Sequence, residues 1–225
     1  MKIVTFLPSA TEIACSLGLR KSLIAVSHEC DFPNDVTSFP RITSSIIPDN
    51  LSTNQIDASV EKAVRNGDAL YQINGDLLSK LKPDLIITQG ICDVCAVNVG
   101  TVQETMLLLP DLVKKNVQIL SLSGKNFSGI LSDINQVAVA TKTQNEANRL
   151  TQKLRDHWQQ LQQTQSMTKP AVLMLEWPNP FFFGGHWVPE MIEVAGGVDV
   201  MGKTGLDSGR CTFKEIQEKD PDIII

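Results

Sequence analysis

The segment Lys82-Pro83-Asp84-Leu85-Ile86-Ile87 returns 138 positions later as Asp220-Pro221-Asp222-Ile223-Ile224-Ile225. Each copy joins a short apolar-periodic stretch to a bare aliphatic strand. Proline has no backbone N–H and keeps the preceding residue out of the helical region, so a helix must stop there. The aspartate accepts backbone donors in the turn that follows. Strands without polar alternation belong in parallel sheets covered on both faces. Two such junctions predict one βα unit used twice, hence two similar lobes with a cleft where a small ligand binds. The second copy closes the 225-residue chain. A fully apolar strand there predicts a fragment, or a protein lacking its last βα unit.

Between the two junctions the order is strand–helix alternation, a long helix-compatible stretch, then alternation again. The fold class expected is α/β, with two Rossmann-like lobes of mostly parallel sheet joined by one long interlobe helix. The boundaries are an N-terminal lobe over 1–126, the connecting helix over 127–165 and a C-terminal lobe over 166–225. Leu131, Ile134, Val137 and Ala138, then Ala147, Leu150, Leu154, Trp158 and Leu161, keep helical spacing. A polar break at 141–144 separates the two runs. Near the N-terminus, Ser9 and Glu12 have capping-box spacing behind the strand Ile3–Leu7. The aromatic segment Phe181–Trp187 reads as a loop.

The 20 basic and 25 acidic residues leave a net charge of −5, which argues against nucleic acid or an anionic membrane as partner. No stretch is long and apolar enough for a membrane helix. Ile3–Leu7 is too short for a signal-peptide core, so the chain as written is expected in the cytoplasm. Five cysteines, an odd number, are no disulfide framework.

Unusual residues follow strands, where ligands of parallel sheets sit. Cys92 and Cys95 form a C-x-x-C pair, able to bind a soft metal or cycle as a dithiol. Cys30 and His28 would complete a four-ligand set for zinc or iron. His28 and His186 stand in one predicted cleft loop each, suited to a metal centre or to ligand amides. Trp177, Phe181, Phe182, Phe183 and Trp187 place five of the twelve aromatics within eleven residues, a surface for a broad apolar ligand. Glu176 offers an acceptor beside them, and Arg210 a cation for a phosphate or propionate.

The opening Phe6-Leu7-Pro8-Ser9-Ala10-Thr11-Glu12-Ile13 with Leu17-Gly18-Leu19, both Pro-Asp junctions, and Pro189-Glu190-Met191-Ile192 leading to Ala195-Gly196-Gly197 resemble the substrate-binding proteins of ABC importers for cobalamin, iron-siderophores and haem. Ser27–Asp31, Gln89–Cys95 and Gly185–Glu190 resemble the cobalamin-binding subgroup. The resemblance implies a non-catalytic, monomeric protein with no required cofactor, capturing a corrinoid or iron-siderophore between its lobes. One wall would be Ser9, His28, Gln89 and Cys92, and the other Glu176, Trp177, Phe182, His186, Trp187 and Arg210. It also implies an ABC permease as partner and a periplasmic location if a leader has been removed. Rim carboxylates for docking would be Asp76 and, one step past Lys214, Glu215. The competing reading is a cytosolic metal- or redox-active protein that works through Cys92, Cys95, His28 and Cys30. Elbow, phosphate-loop and paired-histidine motifs are absent, which disfavours an enzyme.

Overall fold

The first apolar run becomes a strand because its neighbours complete a parallel sheet around it. In chain order, the computed structural model contains β1 (Ile3–Thr5), α1 (Pro8–Ser16), β2 (Leu23–Ala25), β3 (Thr43–Ser45), α2 (Thr53–Asn66), β4 (Tyr71–Ile73), α3 (Gly75–Leu81), β5 (Leu85–Gln89), α4 (Val99–Leu107), α5 (Pro110–Lys115) and β6 (Gln118–Leu122). There follow α6 (Phe127–Thr141), α7 (Gln144–Gln163), β7 (Ala171–Leu173), β8 (Leu175–Pro178), β9 (Phe181–Phe183), α8 (Val188–Val194), β10 (Val198–Asp199), β11 (Gly209–Cys211), α9 (Phe213–Lys219) and β12 (Ile223–Ile224). The structure describes residues 1–91, 96–163 and 168–225.

The chain divides into two compact units. One comprises Met1–Asp49, Ser59–Ser123 and Asp133–Leu150; the other comprises Asn50–Ala58, Gly124–Ser132 and Thr151–Ile225. The first holds a parallel sheet of order β2-β1-β5-β6 and a two-stranded β3-β4 ribbon. Its two central strands, β1 and β5, are buried on both faces: Ile3, Val4, Leu85, Ile86 and Ile87 are all fully buried. Val4, Phe6, Ile86, Val102, Met106 and Leu112 share one core with Leu78 of α3.

The second unit holds a parallel sheet of order β10-β7-β12 and an antiparallel sheet of order β11-β9-β8. The two Pro-Asp strands therefore lie in separate sheets, each beside the first strand of its own unit. The repetition extends to single bonds. Asn74 caps α3 through its side chain and Thr212 caps α9. Both helices end on a left-handed residue, Lys82 (φ 48°) and Asp220 (φ 43°), whose N–H groups return to Leu78 and Ile216. Lys2 N–H donates to Asp84 at 2.7 Å, and Ala171 N–H donates to Asp222 at 2.7 Å. Helices α1 and α8 also end alike. Gly18 (φ 77°) and Gly196 (φ 94°) take the left-handed position, and the next residue's N–H reaches back to Ala14 or Ile192.

Four expectations need correction. The helical stretch 127–163 is two helices, because Lys142 adopts φ 59° and Thr143 N–H closes onto the Ala138 carbonyl. The polar run around it has no apolar face to keep it helical. The capping box at Ser9 and Glu12 does not form: α1 starts at Pro8 behind Leu7, with no side-chain cap. Proline at the first helical position removes an orphan donor and suits the start without one. The aromatic segment is not all loop, since Phe181–Phe183 is the central strand of the antiparallel sheet. Finally, Ile223, Ile224 and Ile225 are 44%, 56% and 63% exposed, unlike their buried counterparts Leu85–Ile87. Strand β5 is flanked by both β1 and β6, whereas among the described residues β12 pairs with β7 alone.

Candidate functional site

In the first unit the carboxyl ends of β1, β2 and β5 run into Phe6–Ser9, Val26–His28 and Gln89–Ile91. Ser9 sits exposed in the first turn of α1. Gln89 is 3% exposed and serves its own loop: its Oε1 accepts Ile91 N–H at 2.6 Å and its Nε2 donates to the Ala96 carbonyl at 3.2 Å.

His28 is held more tightly than its sequence suggests. Thr43 Oγ1 accepts the His28 backbone N–H at 3.1 Å, donates to Ser27 Oγ at 3.2 Å and lies 2.7 Å from His28 Nδ1. Thr43 Oγ1 thus ties the His28 ring, the His28 backbone and Ser27 into one cluster. Nε2 is buried without a hydrogen-bond partner, 3.8 Å from Glu29 Oε1. The ring tilts against Tyr71 at 5.6 Å and borders a pocket of about 360 Å³ formed with Ser44–Asp49.

Cys30 does not face that pocket. It is 1% exposed, and its Sγ lies 3.1 Å from Thr11 Oγ1, which in turn lies 2.6 Å from Thr5 Oγ1. Burial pushes its thiol pKa up, so the metal-free thiol stays protonated. Cys92 and Cys95 lie outside the described residues. Among the described residues no three His, Cys, Asp or Glu side chains gather as a metal site.

The second unit brings three expected residues into one row. Trp177 of β8 pairs with Phe182 of β9, which pairs with Arg210 of β11, so the three side chains share one face of the antiparallel sheet. The Arg210 guanidinium sits 5.1 Å from the Phe182 ring centroid, a cation–π contact. Trp177 Nε1 donates to the Asn179 carbonyl at 3.0 Å, which fixes the indole. Glu176, one residue earlier on β8, is exposed. On the opposite face Phe183 packs over Gly209, where a Cβ would come within 2.5 Å of the ring.

His186 and Trp187 follow β9 on a tight turn. His186 has φ 53°, its N–H donates to the Leu206 carbonyl at 2.6 Å, and its carbonyl accepts Gly205 N–H at 2.8 Å. Its Nδ1 is buried without a hydrogen-bond partner, 3.7 Å from Asp207 Oδ1. Lys125 Nζ donates to that carboxylate at 2.7 Å and holds the Asp207 pKa below the usual range. The Trp187 ring leans on His186 at 5.7 Å.

The two carboxylates expected to serve in docking differ. Asp76 is exposed in the first turn of α3. Glu215 stands in the equivalent turn of α9, but its carboxylate accepts Thr212 N–H at 2.7 Å and the Thr212 hydroxyl at 2.8 Å. Those bonds lower its pKa and complete a capping box.

Three contributors escaped sequence reasoning: Thr43, Tyr71 and Asp57. Asp57, on α2, accepts from Arg210 Nη2 at 2.8 and 3.1 Å across 153 positions. No local pattern announces such a pair.

The sequence matches the family described as periplasmic binding protein over residues 3–225. The vitamin B12-binding protein of Yersinia pestis (strain Pestoides F) is 21% identical over 227 residues, covering 100% of this chain and 68% of that relative. Two solved structures from Vibrio cholerae share the fold. The periplasmic heme-binding protein superposes with a TM-score of 0.71 at 18% identity, covering 100% of this chain and 75% of the other. The periplasmic vitamin B12-binding protein gives 0.66 at 21% identity, covering 99% and 74%. With the match spanning both units and both Pro-Asp junctions, the chain belongs to the periplasmic binding protein family.

Proposed function

We propose that this chain is the non-catalytic, ligand-capturing component of an importer, and that its cargo is a bulky macrocycle of the corrinoid type. One observation carries the reading: Trp177, Phe182 and Arg210 form a single cross-strand row. Two fixed rings beside a cation suit a ligand with a broad apolar face and a polar edge. Relatives described as vitamin B12-binding proteins align along the whole chain and favour the corrinoid. His186, Trp187 and Glu176 adjoin the row in sequence and complete the proposed contacts of the second unit. Ser9, His28, Gln89 and Cys92 are the proposed contacts of the first. A membrane permease is the proposed partner, met through Asp76 and Glu215 outside the cytoplasmic membrane. Among the described residues no helix is long and apolar enough to cross a membrane. The cysteine-centred alternative is not favoured, because Cys30 is buried and protonated.

The test is calorimetric and spectroscopic titration of the purified chain with cyanocobalamin and with haemin. Saturable one-to-one binding of cyanocobalamin supports the reading. Haemin binding with no heat or spectral change from cyanocobalamin overturns the corrinoid.

A further inference from the structure

We infer that Cys15 and Cys30 are a site of oxidative modification: a small-molecule disulfide is reduced there, and a protein disulfide forms that fastens α1 to the turn carrying His28. The inference stands apart from the cargo proposed above. Both thiols are free in this structure. Two placements bring them together. Cys30 Sγ lies 3.1 Å from Thr11 Oγ1. Thr11 belongs to α1, and Cys15 stands four residues on, so it shares that face one turn along. Cys15 also packs, half-buried, against the small cluster formed by Val26, Cys30 and Val36. Burial, first, and the neighbouring Cys30 among other groups raise the Cys15 pKa, which places the two sulfurs within electrostatic reach. A disulfide spans Cα atoms about 4.4–6.8 Å apart, so thiols of one packed cluster are the ones able to form it.

The turn at the far end is built as a unit around His28. Cys30 N–H donates to the Ser27 carbonyl at 3.2 Å, and Arg41 Nη1 donates to the Ser27 and Cys30 carbonyls at 2.9 and 2.7 Å. A covalent tie at Cys30 therefore holds the whole turn. The two thiols divide the chemistry by access. Cys15, half-buried, attacks one sulfur of glutathione disulfide as its thiolate and releases one glutathione, leaving a mixed disulfide. Cys30, only 1% exposed, then displaces the second glutathione from Cys15. Two protein thiols are oxidised by two electrons, one glutathione disulfide is reduced to two thiols, and the two protons leave on them. Raised thiol pKa values make the exchange slow, so equilibrium rather than rate is the quantity to read.

The full native chain is equilibrated in glutathione buffers of stepped oxidation, alkylated, digested and mapped by mass spectrometry. A Cys15–Cys30 cross-linked peptide, lost again on adding dithiothreitol, is the result expected. The mapping needs no variant and separates this bond from any made by the other cysteines. The oxidised chain should also melt about 5 °C above the reduced one, since the bond closes a loop between positions fifteen apart. Cys15→Ser, or Cys15→Ala if the serine variant does not fold, should lose that rise under the same oxidation. Cys15 and Cys30 remaining reduced, carrying glutathione alone, or cross-linking only in denaturant would each overturn the inference. A cross-linked chain that melts no higher than the reduced chain overturns it as well.

Discussion

Asp222 accepts the backbone N–H of Ala171 at 2.7 Å, at the point where β12 begins to pair with β7. Asp84 takes the same bond from Lys2 where β5 begins to pair with β1. Each aspartate thus pins a helix-to-strand junction to the first strand of its own unit. The bond sets register: a slip of one residue would send every aliphatic side chain of the strand to the wrong face.

Asp84 makes the clearest stability prediction. The Lys115 ammonium, first, and the Lys2 N–H hold its carboxyl below the usual range. A depressed folded-state pKa stabilises above the unfolded pKa, near 4, and the gain is lost as pH falls through the folded value. Asp84→Asn should therefore be less stable than the native chain at neutral pH, by about 1 kcal/mol or less because the pair is half exposed. Urea midpoints of the two proteins should converge below the folded pKa. A gap that persists there contradicts the assignment.

Leu78 and Ile216 are the buried contacts of the two junction helices, 0% and 5% exposed. Leu78→Ala opens a cavity in the first unit's core and should cost about 2–5 kcal/mol. Denaturant titration measures it, and a cost under 1 kcal/mol would contradict the packing described.

His186 separates backbone strain from side-chain role. At φ 53° any residue with a Cβ is strained, and glycine is not. His186→Gly should melt above His186→Ala, with a difference of about 1 kcal/mol. At the preceding position a Cβ would lie 2.4 Å from Ser208 N and 2.7 Å from the Leu206 carbonyl oxygen, both backbone. Gly185→Ala should therefore disturb this turn and lower the melting temperature, which calorimetry reads.

Cys30 should resist labelling. Its thiol is buried and its pKa raised, chiefly by burial. Maleimide modification of the folded chain at pH 7, mapped by mass spectrometry, should leave Cys30 unmodified until denaturant is added. Rapid native labelling would reopen its candidacy as a ligand.

The junctions are legible in the sequence because proline and glycine act locally. Pro83, Pro221, Gly18 and Gly196 each stop a helix through their own backbone chemistry, wherever the rest of the chain goes. Residues destined for strand ends, such as His28 and Gln89, are legible for the same reason. What stays hidden is non-local. Phe181–Phe183 reads as loop because its partners, Leu175–Pro178 and Gly209–Cys211, are set by pairing rather than by propensity. The break at Lys142 is only half visible, as a polar run without glycine or proline. The Arg210–Asp57 pair and the Thr43 hydroxyl that holds the His28 ring join residues far apart in the chain, and no spacing rule points to them.

The central claim is that the Trp177–Phe182–Arg210 row binds the cargo. Replacing Trp177 and Phe182 singly by alanine and measuring cyanocobalamin affinity by calorimetry tests it most directly. A loss of at least tenfold in each variant, with the melting transition retained, is the result predicted. Native affinity in both folded variants would contradict it.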